Sequence, residues 1–444
     1  MSRRNLTLLL VAIAFCLLCS GRGEQDPFAR FVVDGYEKID RYAYTHVPDE
    51  ELFQGAMQGM VDVLHRRGDG HSQFITPERA KMFREEIDQE IAGIGVRLHL
   101  EGDPLTVKVA GPPLPGKPAD RAGVRADDTI LAIDEFAITE VSPMTFQTDV
   151  IGRMRGIPGE PLKLTVLHDG DDQPVTLDMV REIISLDSVR GDRLLSDQSW
   201  QFALEEDPRI ALVRVSSFGA KTYGELETLL PELMQQGTQA VILDLRGDPG
   251  GLLDAAVATC ELFLPANKLI VETRNRRGQT KSEWESSTDG PYLDIPLVVL
   301  VDRNSASASE IVAACLQDYD RAVVIGERSF GKGTVQETLS MQAGDSTLKL
   351  TTASFWRPSG RNIHRHEDDR ETALADPDWG VTPNEGLDVD MTEEQLIELA
   401  KARAERDATI YDPTKPDEAP LLNDPAVDVA VAYLQQLLDS ASGQ

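Results

Sequence analysis

LVVLVDRNSASASEIVAACLQDYDRAVVIGERSFGKGTVQ, Leu297 to Gln336, is the stretch that decides the fold. Leu297 to Val301 is an unbroken apolar run that reads as a buried strand. It stops at a cluster of small hydroxyl and alanine residues, Ser305 to Ser309, which opens a helical pattern. A second apolar run, Ala322 to Ile325, ends in a loop that presents Lys332 between Gly331 and Gly333. Strand, helix and strand in this order fit an α/β layered arrangement. Ser307 and Lys332 stand at their ends as a candidate nucleophile and base.

The alternation extends outward over residues 185 to 387. Ile210 to Val215 reads as a strand, Tyr223 to Gln235 as a helix, Gln239 to Leu245 as a strand and Gly251 to Leu264 as a helix. This is an α/β layered core. Between the last two lies Asp244-Leu245-Arg246-Gly247-Asp248-Pro249-Gly250-Gly251. Glycines at a strand-to-helix turn serve as a plain tight turn, or point backbone N–H groups at a developing anion.

Serine is a poor nucleophile at neutral pH and needs a base within hydrogen-bond reach. Only seven histidines are present, and none sits in a convincing motif near the serine cluster; His364 and His366 fall in a polar stretch and His71 in a glycine turn. A lysine serves when partial desolvation keeps it neutral. Phe330 and Val335 around Lys332 suit a lysine folded inward. Two plainer readings stand beside these. Ser307 with Glu310 three residues on fits a capping box. Gly326 to Thr334, GERSFGKGT, nearly matches a phosphate-binding loop, but Gly333 stands where the magnesium-binding hydroxyl belongs and a strand-like run follows.

From about Ile91 to Glu182 the texture changes to short strands with turn punctuation: Ile94 to Leu100, Leu105 to Ala110, Thr129 to Ile133, Leu162 to His168 and Val175 to Val180. Gly93-Ile94-Gly95-Val96, with Pro118 to Val124 and Asp127 to Asp134, resembles a PDZ domain of bacterial proteases. That resemblance implies a turn offering N–H groups to a terminal carboxylate and a strand edge that accepts a peptide. Residues 27 to 87 read as mostly helical, and Thr392 to Arg406 and Pro425 to Leu438 as two amphipathic helices joined by a linker, Asp412 to Pro425. Their expected role is packing or dimerisation.

Arg3 and Arg4 followed by Leu6 to Leu18 read as a targeting segment, either cleaved near Ser20 to Gly23 or retained as a membrane anchor. Of four cysteines, Cys16 and Cys19 lie there; Cys260 and Cys315 remain, in alanine-rich helical runs that suit buried free thiols. There is no disulfide framework and no metal-ligand spacing. The chain of 444 residues and 48.8 kDa exceeds one ordinary core. Its formal charge of -31 and pI near 4.6 disfavour nucleic acid and anionic lipid as partners.

Taken together, Ser305 to Glu310 and Phe330 to Gln336, with Asp244 to Gly251, Leu350 to Ala353, Pro358 to Arg361 and Gly380 to Pro383, resemble the carboxyl-terminal processing peptidases, PDZ-containing serine proteases with a Ser/Lys dyad. The resemblance implies an α/β multidomain protein: residues 1-23 signal peptide or anchor, 27-87 helical, 88-183 an inserted β-rich PDZ domain, 184-390 a crotonase/Clp-protease-like catalytic core, and 391-444 helical. It implies Ser307 as nucleophile, Lys332 as general base and Gln336 as the residue that orients the lysine. The N–H groups of Ala308 and of Gly250 or Gly251 would form the oxyanion hole, and Gly93, Ile94, Gly95 and Val96 the tail-binding site. The expected enzyme is an exported, periplasmic or envelope endopeptidase acting on protein C-termini, dimeric or membrane-associated, without metal or cofactor. A catalytically inactive PDZ scaffold is the alternative. Two departures from the family pattern are LHRRGDGHS at Leu64 to Ser72 and the long charged loop after Arg361.

Overall fold

Four of the five strands of the central sheet run parallel and in chain order, Ile210–Val215, Ala240–Asp244, Leu297–Val301 and Val323–Gly326; Val189–Arg190 adds an antiparallel edge. Apart from Arg214 and the terminal Asp244 the four parallel runs are apolar, because both faces are covered. Alternate residues point to opposite sides. Val213, Leu243, Val299 and Val324 pack with the helices Thr222–Gln235, Leu253–Glu261 and Ala308–Asp318. Leu212, Ile242, Leu300 and Ile325 pack with Ala430, Leu434 and Leu438 of the helix Pro425–Ser442. The C-terminal helix therefore covers one face of the sheet, which is the packing role expected of it. Cys260 and Cys315 are buried free thiols on the other side.

This computed structural model describes residues 26–442 apart from 103, 140, 143–144, 197–198, 342–345, 366–378 and 412–421. The targeting segment, most of the linker after Asp412 and most of the charged loop after Arg361, including His366, thus lie outside the described residues. Among the described residues, no helix is long and apolar enough to cross a membrane.

The chain divides into two compact units. The larger, Pro77–Leu339 with Leu350–Gln444, holds the central sheet and a second, antiparallel one in which Leu269–Arg274 pairs with Thr280–Glu285 and, through Glu272 to Arg274, with Ser354 to Trp356. It also holds a six-stranded antiparallel sheet over residues 98–180, with its own core of Val107, Val109, Ile130, Ile133, Leu162 and Leu164. The strands before and after that sheet, Glu90–Gly93 and Glu182–Ser185, pair with each other, so chain entry and exit lie side by side.

One expectation fails in this region. Ile94 to Leu100 is not one strand: pairing stops at Gly93 and resumes at Leu98. Gly95 breaks the run with φ +82, and a Cβ there would lie 2.7 Å from Lys117 Cβ. The region also contains helical pieces, Pro118–Ala122 and a π-helical turn Phe146–Ile151 that runs into Gly152–Met154. Pro118 at the first helical position and Gly123 at φ +91 after the last are the start and stop signals of the first piece.

The smaller unit, residues 1–76 with Ser340–Lys349, holds the helices Pro27–Tyr42 and Asp49–His65 and the antiparallel pair Gln73–Ile75 with Thr347 to Lys349. Its core is Met57, Val61 and Phe74, with Phe53 edge-on to Phe74 at 5.6 Å between ring centroids. Asp26 caps the first helix and Pro27 opens it, yet none of its residues is buried.

Candidate active site

Parallel strands place the loops at their C-terminal ends side by side, the usual seat of function in open α/β sheets. Three such loops follow Asp244, Val301 and Gly326, and they carry the glycine-rich turn, the serine cluster and the lysine.

After Val301 the chain turns tightly. Asp302 Oδ1 accepts the N–H groups of Asn304 and Ser305 at 3.0 Å each and that of Gly247 at 2.9 Å, and Ser305 Oγ donates to Leu245 O at 2.8 Å. Ser307 then sits at φ 56 and ψ -112, a conformation costly for a side chain with a Cβ. It is the cap of the Ala308–Asp318 helix. The Ala308 N–H, in the first turn, has no intrahelical acceptor. Ser307 and Glu310 occupy the capping-box positions, and Ser307 N–H donates to Glu310 Oε2 at 2.8 Å.

Glu310 is fully buried and does more than cap. The same Oε2 accepts the Lys332 N–H at 2.8 Å. Oε1 accepts the Gly331 N–H at 2.7 Å and the Ser329 hydroxyl at 2.5 Å, and Ser329 Oγ in turn accepts the Val381 N–H at 2.7 Å. One carboxyl group thus joins the serine and lysine loops. Burial pushes it up to about 7, against these hydrogen bonds, which favour the charged form.

The glycine-rich turn closes against the serine. Gly250 has φ +96, and a Cβ there would lie 2.6 Å from Ala306 O and 2.8 Å from both Ala308 N and Ser307 Cβ. Its N–H is used, donating to Asp248 Oδ1 at 2.7 Å. Phe218 N–H donates to Gly250 O and Leu252 N–H to Phe218 O, which leaves the Gly251 N–H without a backbone acceptor among the described residues. Of the two glycines proposed from sequence, Gly251 therefore has the available donor. Arg246 anchors the turn through Asp244 and through Asp424, just ahead of the C-terminal helix, in contacts of 2.7 and 2.8 Å.

Lys332 is half-buried, and its side chain has no hydrogen bond or ion pair among the described residues; in particular none joins it to Ser307. Burial lowers its pKa from the ordinary lysine value, with Glu310 opposing. Gly331 and Gly333 flank it because residues 363–365 pass directly over the loop: Cβ atoms there would lie 2.7 Å from Arg365 Cβ and 2.2 Å from His364 N. No helix follows the Gly-Lys-Gly run. It enters the strand Thr334–Ser340, so the phosphate-loop geometry is absent. Gln336 lies on that strand, and its Nε2 donates to Thr334 Oγ1 at 2.9 Å and Thr351 Oγ1 at 3.3 Å.

Gly93, Ile94, Gly95 and Val96 line a groove of about 870 Å³, together with apolar residues such as Leu98 and Leu114. Among the described residues no cluster of His, Cys, Asp or Glu could hold a metal ion. Sequence reasoning assigned Glu310 only a capping role and passed over Asp248, Ser309 and Ser329. An acidic residue beside Pro-Gly-Gly at a strand-to-helix turn was the available signal for Asp248.

Residues 209–384 match peptidase family S41. The carboxy-terminal-processing protease of Bartonella bacilliformis is 32% identical over 390 residues, covering 84% of this chain and 81% of that protein. The chain belongs to peptidase family S41. The carboxy-terminal processing protease CtpA of Bacillus subtilis is 31% identical over 361 residues, 80% of this chain and 71% of that one. A putative S41 protease from Bacteroides fragilis, 14% identical, shares the fold with a TM-score of 0.50 over 89% of this chain and 93% of its own. The protein is a serine-type, carboxyl-terminal processing peptidase acting on protein substrates, with an α/β protease fold, as the sequence led us to expect.

Proposed function

We propose that the peptidase works by a Ser/Lys dyad fed by a tail-binding PDZ domain. The observation that carries this reading is the shared Glu310 oxygen: Ser307 N and Lys332 N can stand no further apart than twice 2.8 Å. In this mechanism neutral Lys332 takes the Ser307 proton as Oγ attacks the scissile carbonyl. The Ala308 and Gly251 N–H groups hold the oxyanion. Protonated Lys332 gives its proton to the leaving amine, and water attacks the acyl-enzyme to regenerate Ser307. Partial burial supports the base role, because it lowers the pKa of Lys332 and so favours the neutral amine. The missing Ser307–Lys332 hydrogen bond is consistent with a dyad that tightens only in the complex. Gln336 is assigned to orienting Lys332, which requires its amide to turn from Thr334 and Thr351.

Residues 88–183 are assigned to the PDZ domain, in which the Gly93–Val96 turn receives a substrate C-terminus and the groove beside it receives the preceding apolar side chains. The substrates are exported proteins with accessible C-termini, met in the periplasm or envelope; the N-terminal segment supplies export or a membrane anchor, and dimerisation completes the proposal. The inactive scaffold is not favoured, because Ser307 and Lys332 are both intact on adjoining loops. The test is incubation of the mature protein with unstructured substrates differing only in their C-termini, read by mass spectrometry of the fragments. Cleavage that depends on the tail and is lost in Ser307→Ala and Lys332→Ala is the expected result. Full cleavage by either variant, or indifference to the tail, would sink the corresponding half of the proposal.

A further inference from the structure

Asp248 lies fully buried in the glycine-rich turn. Its Oδ1 accepts the Gly250 N–H at 2.7 Å, while its Oδ2 is buried with no hydrogen-bond partner. Its backbone oxygen accepts the Ala306 N–H at 3.0 Å and the Ser309 hydroxyl at 3.0 Å, so residue 248 is stitched to both sides of Ser307. The glycine it holds is the one whose missing Cβ lets the turn approach Ala306 O, Ser307 and Ala308 N.

A carboxylate dry on one oxygen and holding one donor on the other is poorly compensated for its lost water. Of the ionisable groups on the elements that meet there, Arg246 is committed to Asp244 and Asp424. Asp302 is committed to the amides of Gly247, Asn304 and Ser305, and Glu310 to Ser307, Ser329, Gly331 and Lys332. Asp254 on the following helix and Lys332 itself are the remaining ones. None of these gives Asp248 a hydrogen bond or ion pair among the described residues, and burial pushes its carboxyl up to about 8, against the Gly250 N–H and the Ser309 hydroxyl, which favour the charged form.

The geometry points to Asp248 as a positioning residue: as a neutral carboxylic acid it holds the Pro249–Gly251 turn against Ser307, and its ionisation sets a negative charge beside the developing oxyanion. This rests on the dyad and oxyanion reading above. It adds a consequence that reading lacks. A lysine base by itself gives activity that rises with pH and then levels. A working neutral Asp248 makes activity fall again on the alkaline side, within a range where the fold persists.

The test is the pH dependence of kcat/KM for the wild type, Asp248→Asn and Asp248→Leu, with Ser307→Ala alongside and circular dichroism at each pH. Asparagine keeps the acceptor for Gly250 and cannot ionise. The ratio of Asp248→Asn to wild type is expected to grow roughly thirtyfold between about pH 6.5 and about pH 9.5, as a group titrating near 8 requires. Asp248→Leu removes the acceptor and is expected to lose about tenfold or more in kcat at every pH, with KM little changed, since the substrate-binding groove is untouched. If Asp248→Leu does not fold, the asparagine ratio decides alone. A ratio that stays flat across this range overturns the inference, as does a folded Asp248→Leu protein with wild-type kcat. A silent Ser307→Ala protein beside a flat ratio rejects this inference only; a Ser307→Ala protein that still cleaves rejects the dyad reading and this inference with it.

Discussion

Ser307 and Lys332 donate their backbone N–H groups to the same oxygen of Glu310, each at 2.8 Å. The distance between the serine and lysine loops is thereby set by a third residue that need not touch substrate. Replacing Glu310 with alanine leaves three buried or part-buried amides and the Ser329 hydroxyl without their acceptor. We expect a fall in kcat/KM of about a hundredfold or more and a lowered Tm, because each unsatisfied buried donor costs about 1–3 kcal/mol. Steady-state kinetics and a thermal melt check both. Wild-type kinetics in the alanine variant would refute the spacing role.

The same carboxyl sets a pH effect with a definite sign. Ionised Glu310 raises the pKa of Lys332, opposing the burial that lowers it. In Glu310→Gln that support is gone, so the lysine loses its proton at lower pH. The acid limb of the residual kcat/KM profile is therefore expected to move to lower pH. An unmoved limb would mean that the group titrating in it is not Lys332.

Lys332 also bears on stability. Its folded pKa is below its unfolded one, so between those two values the unfolded chain binds more protons and stability rises with pH. Lys332→Met is expected to raise Tm at neutral pH, with the gain shrinking as pH approaches the ordinary lysine value. For Asp248 the relation is reversed. With a folded value near 8 against 3.8, its contribution is fully present below 3.8 and is lost as pH rises through 8. Asp248→Asn is thus expected to stabilise the protein increasingly across that window. Melts over a pH series test both signs.

How much of this could be read in the sequence depended on the range of the interaction. The strands of the central sheet were legible because burial on both faces makes them predominantly apolar runs, Leu297–Val301 most clearly. The Ser307 helix was legible from its small-residue opening and its capping-box glutamate. The strands Leu269–Arg274 and Thr280–Glu285 were missed because the second, Thr280–Glu285, is polar and mostly exposed, without the alternation that marks a half-buried strand. The further role of Glu310 was hidden because local spacing gives only its bond to Ser307; its bonds to Gly331 and Lys332 span 21 and 22 residues. Gly331 and Gly333 looked like turn residues, and only the passage of residues 363–365 explains why neither tolerates a Cβ.

Backbone strain at the serine gives another prediction. At φ 56 and ψ -112 a residue with a Cβ carries strain that glycine does not. Ser307→Gly is expected to be inactive yet more stable than Ser307→Ala by about 1 kcal/mol, measured by chemical denaturation. Equal stability of the two variants would deny that strain is stored there.

The C-terminal helix supplies a last prediction away from the chemistry. Leu434 is fully buried against the central sheet, so Leu434→Ala is expected to cost about 2–5 kcal/mol of unfolding free energy. A cost below about 0.5 kcal/mol, the range of surface substitutions, would mean that this helix does not pack there in solution.

The central claim is that Ser307 carries the acyl group. Its most direct test is rapid acid quench of the wild-type enzyme with an excess of unstructured substrate, followed by mass spectrometry of the protein and its proteolytic fragments. The account predicts a transient mass increase equal to the N-terminal cleavage product less one water, located on Ser307 and absent from Ser307→Ala. An adduct on any other residue, or cleavage that continues in Ser307→Ala, would contradict it.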